Sequence, residues 1–312
     1  MKYLITGFSG FVGHYLINYI NEQEKEAQII GIDIINKVYH YNNFVQYTIN
    51  LLNFEELSAI IKTEKPDYIV HLASFSSVAY SWQNPVESFK NNTNIFLNLV
   101  ESVRLFSSHS IILSVGSSDE YGIIEEKDLP LTENKHLNPV SPYAVARVSQ
   151  EFLSKIYYNG FKMNIICTRS FNHVGAGQSD QFVVSSIGKK FVEYLKNKKN
   201  KIFVGNIDIV RDFLDVRDVV RAYFMLLKKG QIGDIYNVCS GKSYSIKQII
   251  ELYKDITLLN PPIEIDKALL RPIENPIVLG SYEKIKTEIN WAPKIDLKDS
   301  LKTIITYWEN IT

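Results

Sequence analysis

The chain has 312 residues, with 34 Lys plus Arg against 34 Asp plus Glu and a formal net charge of zero. That balance lacks the basic excess on which nucleic-acid binding usually rests, and no run approaches the roughly 18 apolar residues of a membrane-spanning helix. The length suits one large α/β domain or a nucleotide-binding domain with a smaller partner.

The first apolar run, MKYLITG, lacks the cationic, apolar and small-residue order of a secretory signal, so the expected location is the cytoplasm. Gly7, Gly10 and Gly13 follow this predicted strand as G-x-x-G-x-x-G and open an apolar-periodic helix, FVGHYLINYINEQ. Glycines at such a strand-to-helix turn let a pyrophosphate approach the helix N-terminus. A second strand, AQIIGIDII, carries Asp33 twenty residues beyond Gly13. A carboxylate there can accept both adenosine ribose hydroxyls and would repel a 2′-phosphate, so the expected cofactor is NAD. The strand FVQYTIN ends near Asn50 and Leu51, which are expected beside the adenine edge. DYIVHLA then brings Leu72 and Ala73 to the pyrophosphate, with His71 as a packed strand-end residue.

Helical stretches (NFEELSAIIKTEK and ESFKNNTNIFLNLVESVRLF) separate these strands from SIILSVG and MNIICTR. Strands alternating with helices at this spacing predict an α/β fold with a doubly wound parallel Rossmann sheet. Cys167 and Cys239 lie in apolar runs and are expected to be core thiols, not a disulfide. After Arg169 the pattern changes. SFNHVGAGQSDQ reads as a polar loop, QFVVSSIGKKFVEYLKNKK as an amphipathic helix, and IVRDFLDVRDVVRAYFMLLKK as a loop running into a helix. IYNVCSG reads as a strand returning to the sheet, and LLRPIENP as a linker before a terminal helix, LKDSLKTIITYWE. Residues 1–170, with 215–240 returning to them, are the expected NAD-binding domain. The remainder of 171–312 is the expected smaller, mixed α/β substrate lobe, with the cleft between the two.

The glycine pattern, SVGSSDEYG, SPYAVAR, RSFNHVG and RDFLDVRDV together resemble the extended short-chain dehydrogenase/reductase superfamily over most of the chain. With RPIENP and SYEKIKTEINWAPKIDL, the sequence is most similar to the branch that modifies GDP-linked sugars. That branch contains GDP-mannose 4,6-dehydratases, GDP-6-deoxy-4-keto-hexose reductases and GDP-heptose 4-dehydrogenases. The resemblance implies interconversion of hydroxyl and ketone at C4 of a GDP-linked hexose or heptose. It makes Tyr143 the proton donor or acceptor at the C4 oxygen and Ser117 a hydrogen-bond donor to it.

Such chemistry must move a proton as well as a hydride. A tyrosine hydroxyl ordinarily titrates near pH 10, so work as a phenolate near neutrality asks for about 4 kcal/mol of stabilisation. A cation one helical turn away can supply much of it. The superfamily uses a lysine that also holds the nicotinamide ribose; here the position is Arg147, which keeps the charge on a larger, planar fork. Redox chemistry is expected to survive this change.

Dehydratases of the superfamily need a further acid/base pair. The resemblance places Asp119 where a glutamate is usual, with Ser117 at the threonine position and Ser118 after it. Asp119 is one methylene shorter, and Glu120 is expected to point elsewhere if the loop is extended. Dehydration, C4 epimerisation and a catalytically quiet NAD or nucleotide-sugar sensor remain alternatives.

For the substrate, Asn172 is expected near the sugar diphosphate, and Arg211 and Arg271 are candidate diphosphate clamps. Glu274 is a candidate acceptor for ribose hydroxyls, while Asp215 and Asp218 are expected to brace their segment. His173 belongs to no set of metal-ligand spacing, and a G-x-S-x-G hydrolase elbow is missing from the sequence. Helices at about 89–106 and 142–159 carry apolar stripes suited to a homodimer through a four-helix interface, with a tetramer as the alternative.

Overall fold

Runs of apolar residues long enough for a strand but too short for a helix set the first half of the chain. The computed structural model describes residues 1–37, 43–269 and 274–312. In chain order come β1 (Lys2–Thr6), α1 (Phe11–Gln23), β2 (Gln28–Asp33), β3 (Phe44–Thr48), α2 (Phe54–Glu64) and β4 (Tyr68–His71). Next are α3 (Val78–Gln83), α4 (Pro85–Phe106), β5 (Ile111–Ser117), α5 (Pro142–Phe161) and β6 (Asn164–Ser170). The second half holds β7 (Asn172–Val174), α6 (Val183–Leu195), β8 (Ile202–Val204), β9 (Val210–Asp215), α7 (Val216–Lys229) and β10 (Ile235–Val238). It ends with β11 (Ser243–Ser245), α8 (Ile246–Thr257), β12 (Ile263–Ile265), β13 (Ile277–Val278), α9 (Glu283–Ile289) and α10 (Leu297–Ile311).

Among the described residues, seven strands form a parallel sheet in the order β10-β6-β5-β4-β1-β2-β3. Both faces are covered, which explains the near-continuous apolar strands. Alternate side chains serve opposite layers: Tyr3, Ile5, Leu113 and Ile166 pack with α1 and α7, while Leu4, Ile112 and Ile165 pack with α2 and α4. The strand order reverses between β1 and β4, so a crevice opens at their C-terminal ends, the usual ligand position in such sheets. Cys167 and Cys239 are buried, free thiols.

The second half departs from the sequence reading at two points. IVRDFLD is a strand, β9, not a loop, and it pairs with β7, β11 and β13. Its buried Asp212 accepts hydrogen bonds from Ser240 N and Oγ and from Gly241 N and Gly280 N. Those partners come from remote segments, so the charge within the strand is satisfied without any local signal. SFNHVG likewise contains β7, too short to leave a periodic trace. A separate core unites α6, α8 and α10 around Ile187, Phe191, Ile249 and Leu301. Among the described residues, no helix is long and apolar enough to cross a membrane.

His71, at the end of β4, is fully buried; its Nδ1 lies 2.8 Å from Thr6 Oγ1, and its Nε2 has no hydrogen-bond partner. Burial, and then the nearby charge of Arg147, push its pKa down to about 3. The unfolded chain therefore binds this proton first, so the contribution to stability is present above about pH 6.5 and is lost as pH falls toward 3. From well above pH 6.5 down to pH 4.5 the loss is roughly 2.7 kcal/mol. Urea unfolding across this window should show a slope that flattens in His71→Asn; an unchanged slope would refute the assignment.

Candidate active site

The crevice is bordered by the turn after β1 and the end of β4. Gly7 adopts φ 72°, and a Cβ there would lie 2.7 Å from Ala73 N. A Cβ on Gly13 would lie 2.4 Å from Phe8 O, so this position lets α1 settle against the turn. Gly10 N-caps α1 without any side-chain cap, and the first turn carries no acidic residue. The helix thus presents its positive end to the crevice with no competing carboxylate in that turn. Leu72 and Ala73 border the same turn, and Ala73 N donates to Thr6 Oγ1 at 3.4 Å.

Asp33 ends β2 beside this turn. Its Oδ2 accepts from Ser9 N at 3.1 Å and Ser9 Oγ at 2.7 Å, while Oδ1 accepts from Ile34 N and Ile35 N. Ser9, which belongs to no motif, holds one oxygen of this carboxylate. Asn50 is exposed and caps its own turn through Leu52 N. Leu51 turns inward to the α2/α4 core. The glycine cradle, the uncapped helix end and the carboxylate together fit the pyrophosphate and adenosine ribose of a dinucleotide.

On the far side of β4, Ser117 ends β5 and caps the short turn Ser118–Tyr121. Its Oγ accepts from Asp119 N at 3.2 Å and donates to Asp119 Oδ2 at 3.1 Å. Ser118 is half-buried and Asp119 exposed. The segment is a 3-10 turn, not an extended loop, and this curvature sends Glu120 inward, where it is fully buried. Glu120 Oε1 accepts from Ser117 N at 2.7 Å, while Oε2 has no partner. Burial first, and the Glu151 carboxylate second, push Glu120 well above the ordinary carboxylate range.

Tyr143 lies in the first turn of α5, which opens on Pro142 with Ser141 capping Ala144 N. Helix α5 packs on β5 and on the turn after it, so Tyr143 and Ser117 share one side of the crevice. Arg147 Nε lies 3.2 Å from Tyr143 Oη, and the guanidinium carbon is 5.3 Å from the ring centroid. Arg147 is only 5 % exposed. Its Nη1 donates to Val115 O at 3.0 Å and to Gln150 Oε1 at 2.6 Å.

A second polar group comes from the other half of the chain. Arg211 Nη1 donates to Asn275 O at 2.8 Å, and Nη2 lies 3.5 Å from Glu274 Oε1. Asn275 Nδ2 donates to Gly122 O at 2.6 Å, tying this group to the loop after Tyr121. Asn275 was not singled out from the sequence. Asn172 is exposed at the start of β7, opposite Phe213. Arg271 lies outside the described residues. Asp215 accepts from Arg217 N at the start of α7, and Asp218 accepts from Lys294 N and Ile295 N; both act as braces. His173 is half-buried on β7, with Nε2 3.4 Å from Tyr223 Oη. Among the described residues, no cluster of three His, Cys, Asp or Glu suits a metal ion.

A parallel sheet with a glycine turn at its switch point, and a Ser–Tyr–Arg group across from it, defines an extended short-chain dehydrogenase/reductase. The family model described as GDP-mannose 4,6 dehydratase matches residues 4–304, and the chain belongs to that family. It is 32% identical over 310 residues to a GDP-6-deoxy-D-mannose reductase of Pseudomonas aeruginosa, covering 99% of this chain and 97% of that one. It is 30% identical over 286 residues to a GDP-6-deoxy-D-talose 4-dehydrogenase of Aggregatibacter actinomycetemcomitans, covering 91% and 90%. The solved structure of RMD from Pseudomonas aeruginosa complexed with NADPH superposes with a TM-score of 0.88 at 32% identity, over 100% of this chain and 99% of that one.

Proposed function

We propose that the protein is a nicotinamide-dependent oxidoreductase that interconverts hydroxyl and ketone at C4 of a GDP-linked hexose, with a heptose as the alternative sugar. The observation that carries this reading is the buried contact between Arg147 Nε and Tyr143 Oη, which puts a fixed cation on the hydroxyl that must exchange a proton. The names of the two relatives favour a GDP-sugar as substrate.

In this reading, Gly7, Gly10 and Gly13 cradle the dinucleotide pyrophosphate beside Leu72 and Ala73, with Asp33 at the adenosine ribose and Asn50 near the adenine. The dinucleotide, when bound, donates or accepts the hydride at C4. Tyr143 Oη gives or takes the proton of the C4 oxygen, and Ser117 Oγ turns from Asp119 to hold that oxygen. Arg147 Nε donates to the tyrosine oxygen and orients it for that transfer. Asn172, Arg211 and Glu274, with Arg271 and Ser118, bind the nucleotide sugar. Residues 1–170 with 215–240 form the cofactor domain, and the rest of 171–312 the substrate lobe. Asp33 leans towards NAD, although the similar structure from Pseudomonas aeruginosa was solved with NADPH.

The test is incubation of the purified protein with GDP-mannose, GDP-manno-heptose and their 4-keto derivatives, each with the oxidised or reduced forms of NAD and NADP, read by mass spectrometry. A product differing by two hydrogens supports the proposal and gives the direction. Loss of water would instead assign a dehydratase using Asp119. Tight binding without turnover would assign a sensor.

The protein is further proposed to act in the cytoplasm as a homodimer through α4 and α5. Both helices leave large apolar side chains exposed, including Val86, Phe89 and Leu97 on α4 and Phe152, Ile156 and Phe161 on α5. Val86, Phe89 and Leu97 share one side of α4, and Phe152 and Ile156 one side of α5, as exposed apolar positions at an interface do. Sedimentation should show a dimer that Ile156→Glu converts to monomer; a monomeric parent chain would refute the assembly, and a tetramer would add a second interface.

A further inference from the structure

The superfamily lysine is a point charge that needs only to reach, whereas a guanidinium is a rigid plane that must also be turned correctly. The structure holds this plane at a site that has no part in the chemistry just described. Gln150 lies three residues beyond Arg147 on the same face of α5 and is 1 % exposed. Its Oε1 accepts from Arg147 Nη1 at 2.6 Å. Its Nε2 donates to Ser114 Oγ at 2.9 Å and to Val115 O at 3.1 Å. Ser154, one further turn along, donates to Ser114 Oγ at 3.2 Å. Val115 O thus takes hydrogen bonds from both Arg147 and Gln150. Both polar ends of the amide are engaged, which leaves this amide one orientation that serves Arg147 and β5 together.

We infer that Gln150 is a positioning residue: it turns the guanidinium of Arg147 so that Nε faces Tyr143 Oη, and thereby allows an arginine to serve where a lysine would need no such anchor. Because the fork is planar, fixing Nη1 against Gln150 and Val115 fixes the direction of Nε. Without the amide oxygen, Nη1 keeps a single partner and the plane can rotate about it. The contact to Tyr143 is already 3.2 Å, so a modest rotation lengthens it beyond hydrogen-bond range. Other titratable groups near Arg147 are His71, Tyr223, Glu120 and Glu151, the last two meeting Arg147 and Gln150 around one small internal void. Glu151 is held by Arg169 and Lys155, and Glu120 by Ser117 N, so neither replaces Gln150 as the anchor.

The inference rests on Tyr143 being the proton-transfer group, and its test is built to fail separately from that reading. Gln150→Met keeps the volume and removes the acceptor. It is made in the parent chain and in Arg147→Lys. In the parent chain, Gln150→Met should lower kcat by about 10- to 100-fold, as expected when a catalytic group is displaced by an ångström or less. The KM for the sugar should stay unchanged, and the limb of the pH–rate profile set by Tyr143, acidic for oxidation and alkaline for reduction, should move to higher pH. In the Arg147→Lys background the same change should have little further effect. Equal losses in both backgrounds, or a loss of kcat with an unmoved pH profile, would overturn the inference in favour of a packing role.

A second readout needs no substrate. Tyrosinate absorbance is titrated in each protein and in its Tyr143→Phe counterpart, and the difference isolates Tyr143. Gln150→Met should shift that difference to higher pH only when residue 147 is arginine; no shift overturns the inference. If the parent chain turns over no GDP-sugar, the proposed function fails, and this titration still decides the role of Gln150.

Discussion

Tyr143→Phe is expected to lower turnover at C4 by about 10²–10⁴-fold, the usual worth of a positioned acid/base group. The substitution removes one atom from a ring that is 6 % exposed and leaves the packing of the first turn of α5 in place. Arg147 loses one acceptor but keeps Val115 O and Gln150, so the guanidinium is not left unpaired. Binding of dinucleotide and GDP-sugar should therefore stay near the parent values while the chemical step collapses. Single-turnover kinetics followed by the absorbance of the reduced dinucleotide, with calorimetry for binding, would separate the two. A variant that retains full rate would remove Tyr143 from the mechanism.

The largest effect on stability is expected at Arg169. Its Nε and Nη2 clasp Glu151 at 2.8 and 3.0 Å, Nη1 donates to Glu133 O at 3.0 Å, and its cation lies 4.8 Å from the centre of the Tyr121 ring. Both members of the ion pair are almost fully buried. Removing one partner of such a pair leaves the other charge stranded and costs about 3–5 kcal/mol. Here the stranded Glu151 would also face Glu120, with only the half-exposed Lys155 as a counter-charge. Arg169→Met should lower stability in urea unfolding by that amount, and Arg169→Met with Glu151→Leu should recover much of it. Losses that simply add would mean that the pair contributes little beyond its separate contacts.

The parts of the molecule legible in the sequence share a short-range cause. Strands β1, β2, β4, β5 and β6 are apolar because both sheet faces are covered, and the glycine turn is set by contacts within one β–α unit. Arg147 was legible because helical spacing alone puts it beside Tyr143. By the same rule Gln150 and Ser154 continue the stripe at seven and eleven residues from Tyr143, so helical spacing marks them as well. The misread segments depend on distant partners. β9 carries Arg211 and Asp212 because Ser240, Gly241, Asn275 and Gly280 meet them there, and no local pattern records that meeting. Glu120 turns inward because the chain curls after β5, bringing it to Ser117 N and to Glu151.

The order of segments in the sheet also bears on synthesis. Strand β10 seals the open edge of β6, and α7 covers the face on which Ile5, Leu113 and Ile166 lie, but both follow α6, β8 and β9 in the chain. A ribosome adding about 5–20 residues per second needs roughly 3–14 s to pass from the end of β6 to the end of β10. Until α7 and β10 are made, the nascent sheet presents an unpaired parallel edge and an apolar face covered only by α1, features prone to capture by another chain. The stretch from residue 171 to 238 is therefore where slowed translation or missing chaperone would be felt most sharply in the yield of folded protein.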